Sequence, residues 1–245
     1  MSGRCNGTAP YEASVSRALV DALGCHRDIH KVLDGLTQLP ILAISTHLHF
    51  DHTNSLSHFS SVAMIDMPEA RSRMTDGKFQ LGRYQVLSSI DGISPPAVLP
   101  VTEWLKPDDY IDLGERRVQM LWTPGHTATS ISIYDPTVKL LFTGDLIYTT
   151  SLFAFMIDSS LSDYASTLDR LLNRMPPDMT VYGAHCCRSD MPPTAPWLSM
   201  NDLKDASKAV NDIRSGKAEG KGFLLRRFPV NRQMTLITFY PFGNR

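Results

Sequence analysis

The 245-residue sequence predicts one α/β domain covering residues 1–245. Three observations carry that expectation. Short β-branched apolar runs and helical apolar periodicity follow one another in mixed order. No internal repeat or linker divides the chain, and its length is enough to bury a proper core.

The elements follow in order. In residues 13–23, Val15, Ala18, Leu19, Ala22 and Leu23 share one stripe ahead of Gly24, which predicts an amphipathic helix. After Pro40, "ILAIST" (41–46) reads as a buried strand, and "SVAMID" (61–66) as a second, followed by a short helix over 68–74. Residues 76–109 are rich in Gly, Pro and Ser with weak periodicity, so an irregular insertion with one helix is expected there. Strands are predicted over 117–122, 130–134 and 139–143, with "TPGH" and "YDPT" as the turns between them. Tyr164, Leu168, Leu171, Leu172 and Met175 are spaced as a helix over 161–175 that Pro176-Pro177 ends. "TVYGAH" (180–185) is a strand running into a loop. Leu203, Ala206, Val210 and Ile213 mark a last helix, and "GFLLRRF" and "MTLITFY" are closing strands.

Composition excludes several classes. Lys+Arg 24 against Asp+Glu 25 leaves a formal charge of −1, so no global field favours nucleic acid or an anionic membrane. The locally basic stretch 204–232 lacks the interleaved aromatics of a nucleic-acid platform and reads as a solvated face. Of four cysteines, Cys186 and Cys187 are adjacent and read as buried thiols, while Cys5 and Cys25 stand alone. No disulfide framework is suggested, and free thiols fit a reducing compartment. The opening "MSGRCNGTAP" has no apolar core of signal-peptide length, and no run approaches membrane-spanning length, so a cytoplasmic protein is expected.

The chemically loaded residues recur just past the ends of apolar strands. His47, His49, Asp51 and His52 follow "ILAIST" in the stretch "THLHFDH". His126 follows "VQMLWTPG", Asp145 follows "LLFTG", and His185 follows "TVYGA". In the turn after a strand, positions two apart can point the same way, so His47 and His49 can share one ion. Asp51 and His52 can face a second. Each ion then lacks a third nitrogen, which His126 and His185 can supply, and the two oxygens of Asp145 can contact both. Such an N/O set without thiolate suits a catalytic zinc with an open position for water, although iron or manganese also accept these ligands. Two ions about 3.5–4 Å apart would activate a shared hydroxide and polarise a substrate oxygen.

The H-x-H-x-D-H motif, followed in order by "TPGHT", "FTGD" and "YGAH", resembles the metallo-β-lactamase superfamily from about the first helix to the chain's end. The resemblance implies a four-layer αββα sandwich with two Zn²⁺ per chain between the sheets. It implies that His47, His49 and His126 hold one zinc, that Asp51, His52 and His185 hold the other, and that Asp145 bridges. Family members usually begin with two or three strands and an Asp-Thr-Gly turn. These are expected to be missing here, leaving a sheet edge for a partner or second copy to cover. "DHTNS" also lacks the glycine pair common after this motif, which narrows the approach to the metals.

The bridging aspartate resembles the glyoxalase II, lactonase and ribonuclease Z branches. The basic C-terminal helical region of a glutathione-thioester hydrolase is not identifiable, nor is the RNA-gripping arm of the ribonucleases. Tyr148 in "GDLIY" resembles the lactonase tyrosine that holds the substrate carbonyl, a role a phenol can fill by donating to an oxyanion. "SLFAFMI" (151–157) is an apolar stretch beyond the site that can wall an acyl chain. Together these motifs most resemble acyl-coenzyme A thioesterases of the superfamily. A dinuclear zinc hydrolase is expected, in which metal-bound hydroxide attacks a thioester or ester carbonyl and Asp51 orients the hydroxide and relays its proton. The alternatives are a lactonase or β-lactamase-like hydrolase, and a zinc-binding homologue without catalysis.

Overall fold

Residues 17–20, expected on the first helix, form a strand. In the computed structural model, β1 (Arg17–Val20) pairs in parallel with β2 (Ile41–Ile44), with Val20 opposite Ile44. The model describes residues 17–21, 29–53, 55–80, 98–114, 116–185 and 197–239. The expectations for the rest of residues 13–23, for the four cysteines and for Asn54 fall outside these residues. A short isolated helix is marginal, whereas the continuous apolar run Ala18-Leu19-Val20 also suits a parallel strand, and the β2 ladder decides between them.

Helix α1 (Ile29–Asp34) leads into β2, and a one-turn helix α2 (Phe50–Thr53) carries the end of the histidine motif toward β3 (Val62–Ile65). Helix α3 (Pro68–Arg71) starts with Pro68, whose fixed φ and missing N–H suit a first turn. Where an irregular insertion was expected, the described parts are extended. Strands β4 (Met74–Thr75), β5 (Lys78–Gln80) and β6 (Val98–Leu99) make a small sheet, and β7 (Glu103–Leu105) joins β3. The first large sheet therefore has the order β1-β2-β3-β7, and among the described residues nothing pairs with the outer edge of β1.

The second sheet begins as a meander of β8 (Tyr110–Asp112), β9 (Arg117–Trp122), β10 (Ile131–Asp135) and β11 (Leu140–Phe142). Strands β12 (Thr150–Phe153) and β13 (Thr180–Tyr182) flank α4 (Leu161–Arg174), and β14 (Trp197–Ser199) precedes α5 (Met200–Arg214). Strands β15 (Leu225–Pro229) and β16 (Met234–Phe239) close the chain. The second sheet runs β14-β13-β11-β10-β9-β8, and β12-β16-β15 form a third, three-stranded sheet.

Alternation along the strands separates two cores. Val118 and Met120 of β9 join Ile131 and Ile133 of β10 and pack on Leu42, Ile44, Val62 and Met64 of the first sheet. Leu121, Leu141 and Val181 point the other way and meet Leu168 and Leu171 of α4 and Leu203 of α5. This is the αββα sandwich. Each fully buried leucine of the outer core contributes roughly 1.5–3 kcal/mol by desolvation. Helix α4 starts at Ser160, whose hydroxyl accepts from Asp163 N at 3.2 Å, and ends before Pro176-Pro177. At α5, Asp202 reaches back to Ser199 N at 2.8 Å.

One close approach fixes the position of Asp145. Gly144 has φ +52°, and a Cβ there would lie 2.3 Å from Thr46 Oγ1. Gly144→Ala should therefore destabilise the fold by about 1–3 kcal/mol, since it adds left-handed strain to the clash. A urea titration that left the midpoint unchanged would refute this.

Candidate metal centre

Four strand ends converge. The turn after β2 carries His47 and His49, the turn after β9 carries His126, and those after β11 and β13 carry Asp145 and His185. Backbone bonds hold the turns together: Ile131 N donates to Thr46 O at 2.8 Å, linking the two sheets, and Ala184 N donates to Gly144 O at 3.0 Å. Hydroxyls brace the histidine backbones. Ser45 Oγ donates to His47 O, Thr53 Oγ1 to His49 O at 3.1 Å, Ser159 Oγ to His126 O at 2.6 Å, and Thr149 Oγ1 to His185 O at 3.3 Å.

All seven residues singled out in the sequence come together, in three groups able to hold an ion: His47, His49 and His126; His47, His52 and Asp145; and Asp51, His52 and His185. In the first, His49 Nδ1 lies 3.0 Å from His47 Nε2 and 3.0 Å from His126 Nε2. His126 Nδ1 is 2.8 Å from the carbonyl of Phe153, an acceptor only, so Nδ1 carries the proton and Nε2 turns its lone pair inward. His52 Nδ1 lies 3.0 Å from Asp21 Oδ2 as a charge pair, without a hydrogen bond of good geometry.

Asp145 stands between the groups. Its Oδ2 is 3.5 Å from His126 Nε2, while Oδ1 is 3.3 Å from His52 Nε2 and 3.1 Å from His185 Nε2. Asp51 Oδ2 lies 3.4 Å from His185 Nε2 and 3.6 Å from His52 Nε2, at the more exposed side of the centre. The buried His52 Nε2 and Asp145 Oδ1 are close as charges but make no hydrogen bond of good geometry. The inward lone pair of His126 and an unsatisfied buried carboxylate oxygen are what a cation would neutralise. The donor set, imidazole and carboxylate without thiolate, fits two distinct metal-binding clusters.

Electrostatics divide the two halves. Burial, reinforced by neighbouring histidines, holds His47 well below the ordinary imidazole value and His49 down to about 3. Burial also lowers His126, against the pull of Asp145. In the other half burial opposes protonation, yet the carboxylates of Asp21 and Asp145 hold His52 well above its usual range. His185 likewise rises to about 9, against burial, through the adjacent carboxylates of Asp145 and Asp51. Burial would raise both carboxylates, but the imidazoles keep Asp51 and Asp145 depressed and ionised.

Tyr148 is buried beside the centre, its ring 5.1 Å from that of His185. Its hydroxyl donates to Ser151 O at 2.5 Å, so in this conformation it is committed to the backbone. Burial and the Asp145 charge push its pKa up, which keeps it a neutral donor.

Sequence reading missed Asp21. It follows β1 and accepts from Thr46 N at 2.8 Å and from Thr46 Oγ1 at 2.9 Å, and its Oδ2 lies 3.0 Å from His52 Nδ1 as a charge pair. Since Thr46 Oγ1 donates to Asp21, it accepts from His47 Nδ1 at 3.1 Å. One carboxylate thus orients a histidine in each half. The signal was the apolar run ending in an acidic residue, "ALVD", which the helical stripe obscured. Asp21→Ala should weaken metal affinity by about 10–100-fold, the range for lost outer-shell partners. A chelator competition showing wild-type affinity would contradict it.

Among the described residues no helix is long and apolar enough to cross a membrane. Relatives share the sequence in part. The chain is 33% identical over 150 residues to the acyl-coenzyme A thioesterase MBLAC2 of Gallus gallus, covering 57% of this chain and 53% of that protein. It is 26% identical over 142 residues to a hydroxyacylglutathione hydrolase of Bartonella henselae, covering 57% and 46%. The chain thus spans about half the length of these curated relatives. Among solved structures, the BLEG-1 B3 metallo-β-lactamase superposes with a TM-score of 0.58 at 19% identity, over 76% of this chain and 85% of that one. ETHE1 from Myxococcus xanthus gives 0.54 at 20% identity, over 82% and 77%. At these identities the likeness shows the fold alone. The family description "Metallo-beta-lactamase superfamily" matches residues 16–185, a span that takes in all seven residues of the candidate centre. The chain therefore belongs to the metallo-β-lactamase superfamily.

Proposed function

We propose that the chain is a dinuclear zinc hydrolase that cleaves a thioester or ester with an apolar acyl group. His47, His49 and His126 would hold one ion, Asp51, His52 and His185 the other, and Asp145 would bridge. The observation that carries this reading is the placement of Asp145, with one oxygen toward His126 and the other toward His52 and His185. When bound, the metal pair supplies an acidified water and a Lewis acid for the carbonyl oxygen. Asp51, ionised and the more exposed carboxylate of the centre, would accept the proton lost in the attack and return it to the leaving group. Tyr148 would aid the oxyanion only after turning from Ser151 O.

The thioester preference rests on relatives named as acyl-coenzyme A thioesterase and as hydroxyacylglutathione hydrolase. A cytosolic setting belongs to the same proposal. The test is hydrolysis of palmitoyl-coenzyme A and of an aryl ester by the zinc-loaded protein, alongside Asp51→Asn. Turnover by the wild type that collapses in Asp51→Asn supports the reading. A zinc-loaded wild type that leaves both substrates intact across neutral pH would sink it.

A further inference from the structure

Helix α4 lies along the turn that carries His126. Ser160 at its start, then Tyr164, Thr167 and Arg170, recur at steps of four and three residues, which puts them on one face. Three of them grip the backbone of that turn. Ser160 N donates to Gly125 O at 2.9 Å, Thr167 Oγ1 donates to Pro124 O at 2.7 Å, and the Arg170 guanidinium donates to Trp122 O. Tyr164 meets the turn with its ring. A Cβ on Gly125 would lie 2.8 Å from the Cγ and Cδ2 of that ring, so the close approach requires glycine in the position before His126.

Tyr164 also reaches the turn after β11. It is fully buried, and its hydroxyl donates to Leu146 O and lies 3.4 Å from Asp145 O. The turns of His126 and Asp145 leave strands that are not neighbours, β9 and β11, with β10 between them. One side chain spans both: its ring backs Gly125, and its hydroxyl holds the carbonyl next to Asp145. Between the two anchored turns, Asp145 Oδ2 and His126 Nε2 stand 3.5 Å apart.

We propose that Tyr164 is a positioning residue, which sets the spacing of Asp145 and His126 by tying both turns to one rigid side chain. This role rests on the two-metal reading above and adds a residue of α4 to it. Packing alone does not account for the hydroxyl. Phenylalanine would fill the same space without burying a polar atom, and a buried phenol needs a partner. The partner here is a backbone carbonyl adjoining the carboxylate that faces both histidine groups. Ligands must be held to within roughly 0.5 Å for a centre to be preorganised, and a turn between strands does not ensure that by itself. Because Asp145 faces both groups, loosening its turn weakens both ions together.

Tyr164→Phe in the full chain keeps the ring and removes the hydroxyl. Zinc affinity is read by chelator competition, and ligand geometry by the visible absorption of the cobalt(II)-loaded protein. Val210→Ala is the control. It lies in the same outer core, on α5, where the change opens a cavity and removes no hydrogen bond. Thermal melts of the metal-free chains should show Val210→Ala losing at least as much as Tyr164→Phe. Tyr164→Phe should nonetheless weaken both zinc ions by about tenfold, the low end of what a lost outer-shell partner costs, and alter the cobalt spectrum. Val210→Ala should keep wild-type affinity and spectrum.

A Tyr164→Phe chain with wild-type affinity and spectrum makes Tyr164 a core residue only and overturns the proposal. A Val210→Ala chain that shifts both readouts as far does the same, since general destabilisation then explains the effect. A wild type that binds a single ion defeats the dinuclear reading, yet a tenfold loss of that ion in Tyr164→Phe keeps the positioning role. A wild type that binds none defeats both.

Discussion

Asp145→Ala should strip metal from both halves of the centre and reduce hydrolysis by at least about a hundredfold, since losing even an outer-shell partner can cost that much in metal affinity. The reason is geometric. Asp145 is the residue whose two oxygens face different histidine groups, Oδ2 toward His126 and Oδ1 toward His52 and His185. Its removal also takes away the negative charge that raises His52 and His185, so in the metal-free protein these imidazoles would lose their protons more readily. Asp145→Asn keeps the shape but loses the charge and should behave nearly as badly. Elemental analysis and turnover on the same preparation check the prediction. A variant that kept both metals would show that the bridge is not needed, and one that lost only one would assign Asp145 to a single ion.

The second large effect is a difference in proton release between the two halves. His47, His49 and His126 are buried and depressed, His49 to about 3, so near neutral pH they are already the neutral ligands a metal needs. His52 is held well above its ordinary value and His185 at about 9, so at pH 7 the metal-free protein carries protons there. Metal binding must displace them. The first group should bind with almost no proton release and the second with about two, so that second-site affinity falls roughly a hundredfold per pH unit through the neutral range. The direction is fixed: a raised pKa makes the proton a competitor below that pKa, and acid empties the Asp51–His52–His185 group first. In the metal-free protein the same shifts act on stability. The ion pairs of His52 and His185 stabilise fully below the ordinary value of 6.5; the His185 contribution is lost as pH rises through about 9, and that of His52 as pH rises through its own raised value. The depressed histidines act in the opposite sense, and stability is lost as pH falls below 6.5, for His49 down to about 3. Calorimetric zinc titration in buffers of different ionisation enthalpy counts the protons. Equal release in both phases would contradict the assignment.

The centre was legible because its code is local. His47, His49, Asp51 and His52 lie within one turn, and His126, Asp145 and His185 each follow a strand whose apolar run is visible by itself. What was illegible depended on pairing. The stripe of Val15, Ala18, Leu19, Ala22 and Leu23 fits a helix, and only the ladder to β2 shows residues 17–20 to be a strand delivering Asp21 to Thr46 and His52. Strand β12 was read as an apolar wall without secondary structure because its partner, β16, lies about eighty residues away. Tyr148 shows the limit of spacing. Its position three residues after Asp145 suggested a hydroxyl aimed at substrate, while the fold directs it to Ser151 O.

The most direct test of the central claim is the metal content of the purified wild-type chain, by elemental analysis after loosely bound ions are removed. Two ions per chain are predicted, one for each group that Asp145 faces. One ion would contradict a dinuclear centre and favour a zinc-binding chain without this chemistry, and none would contradict both.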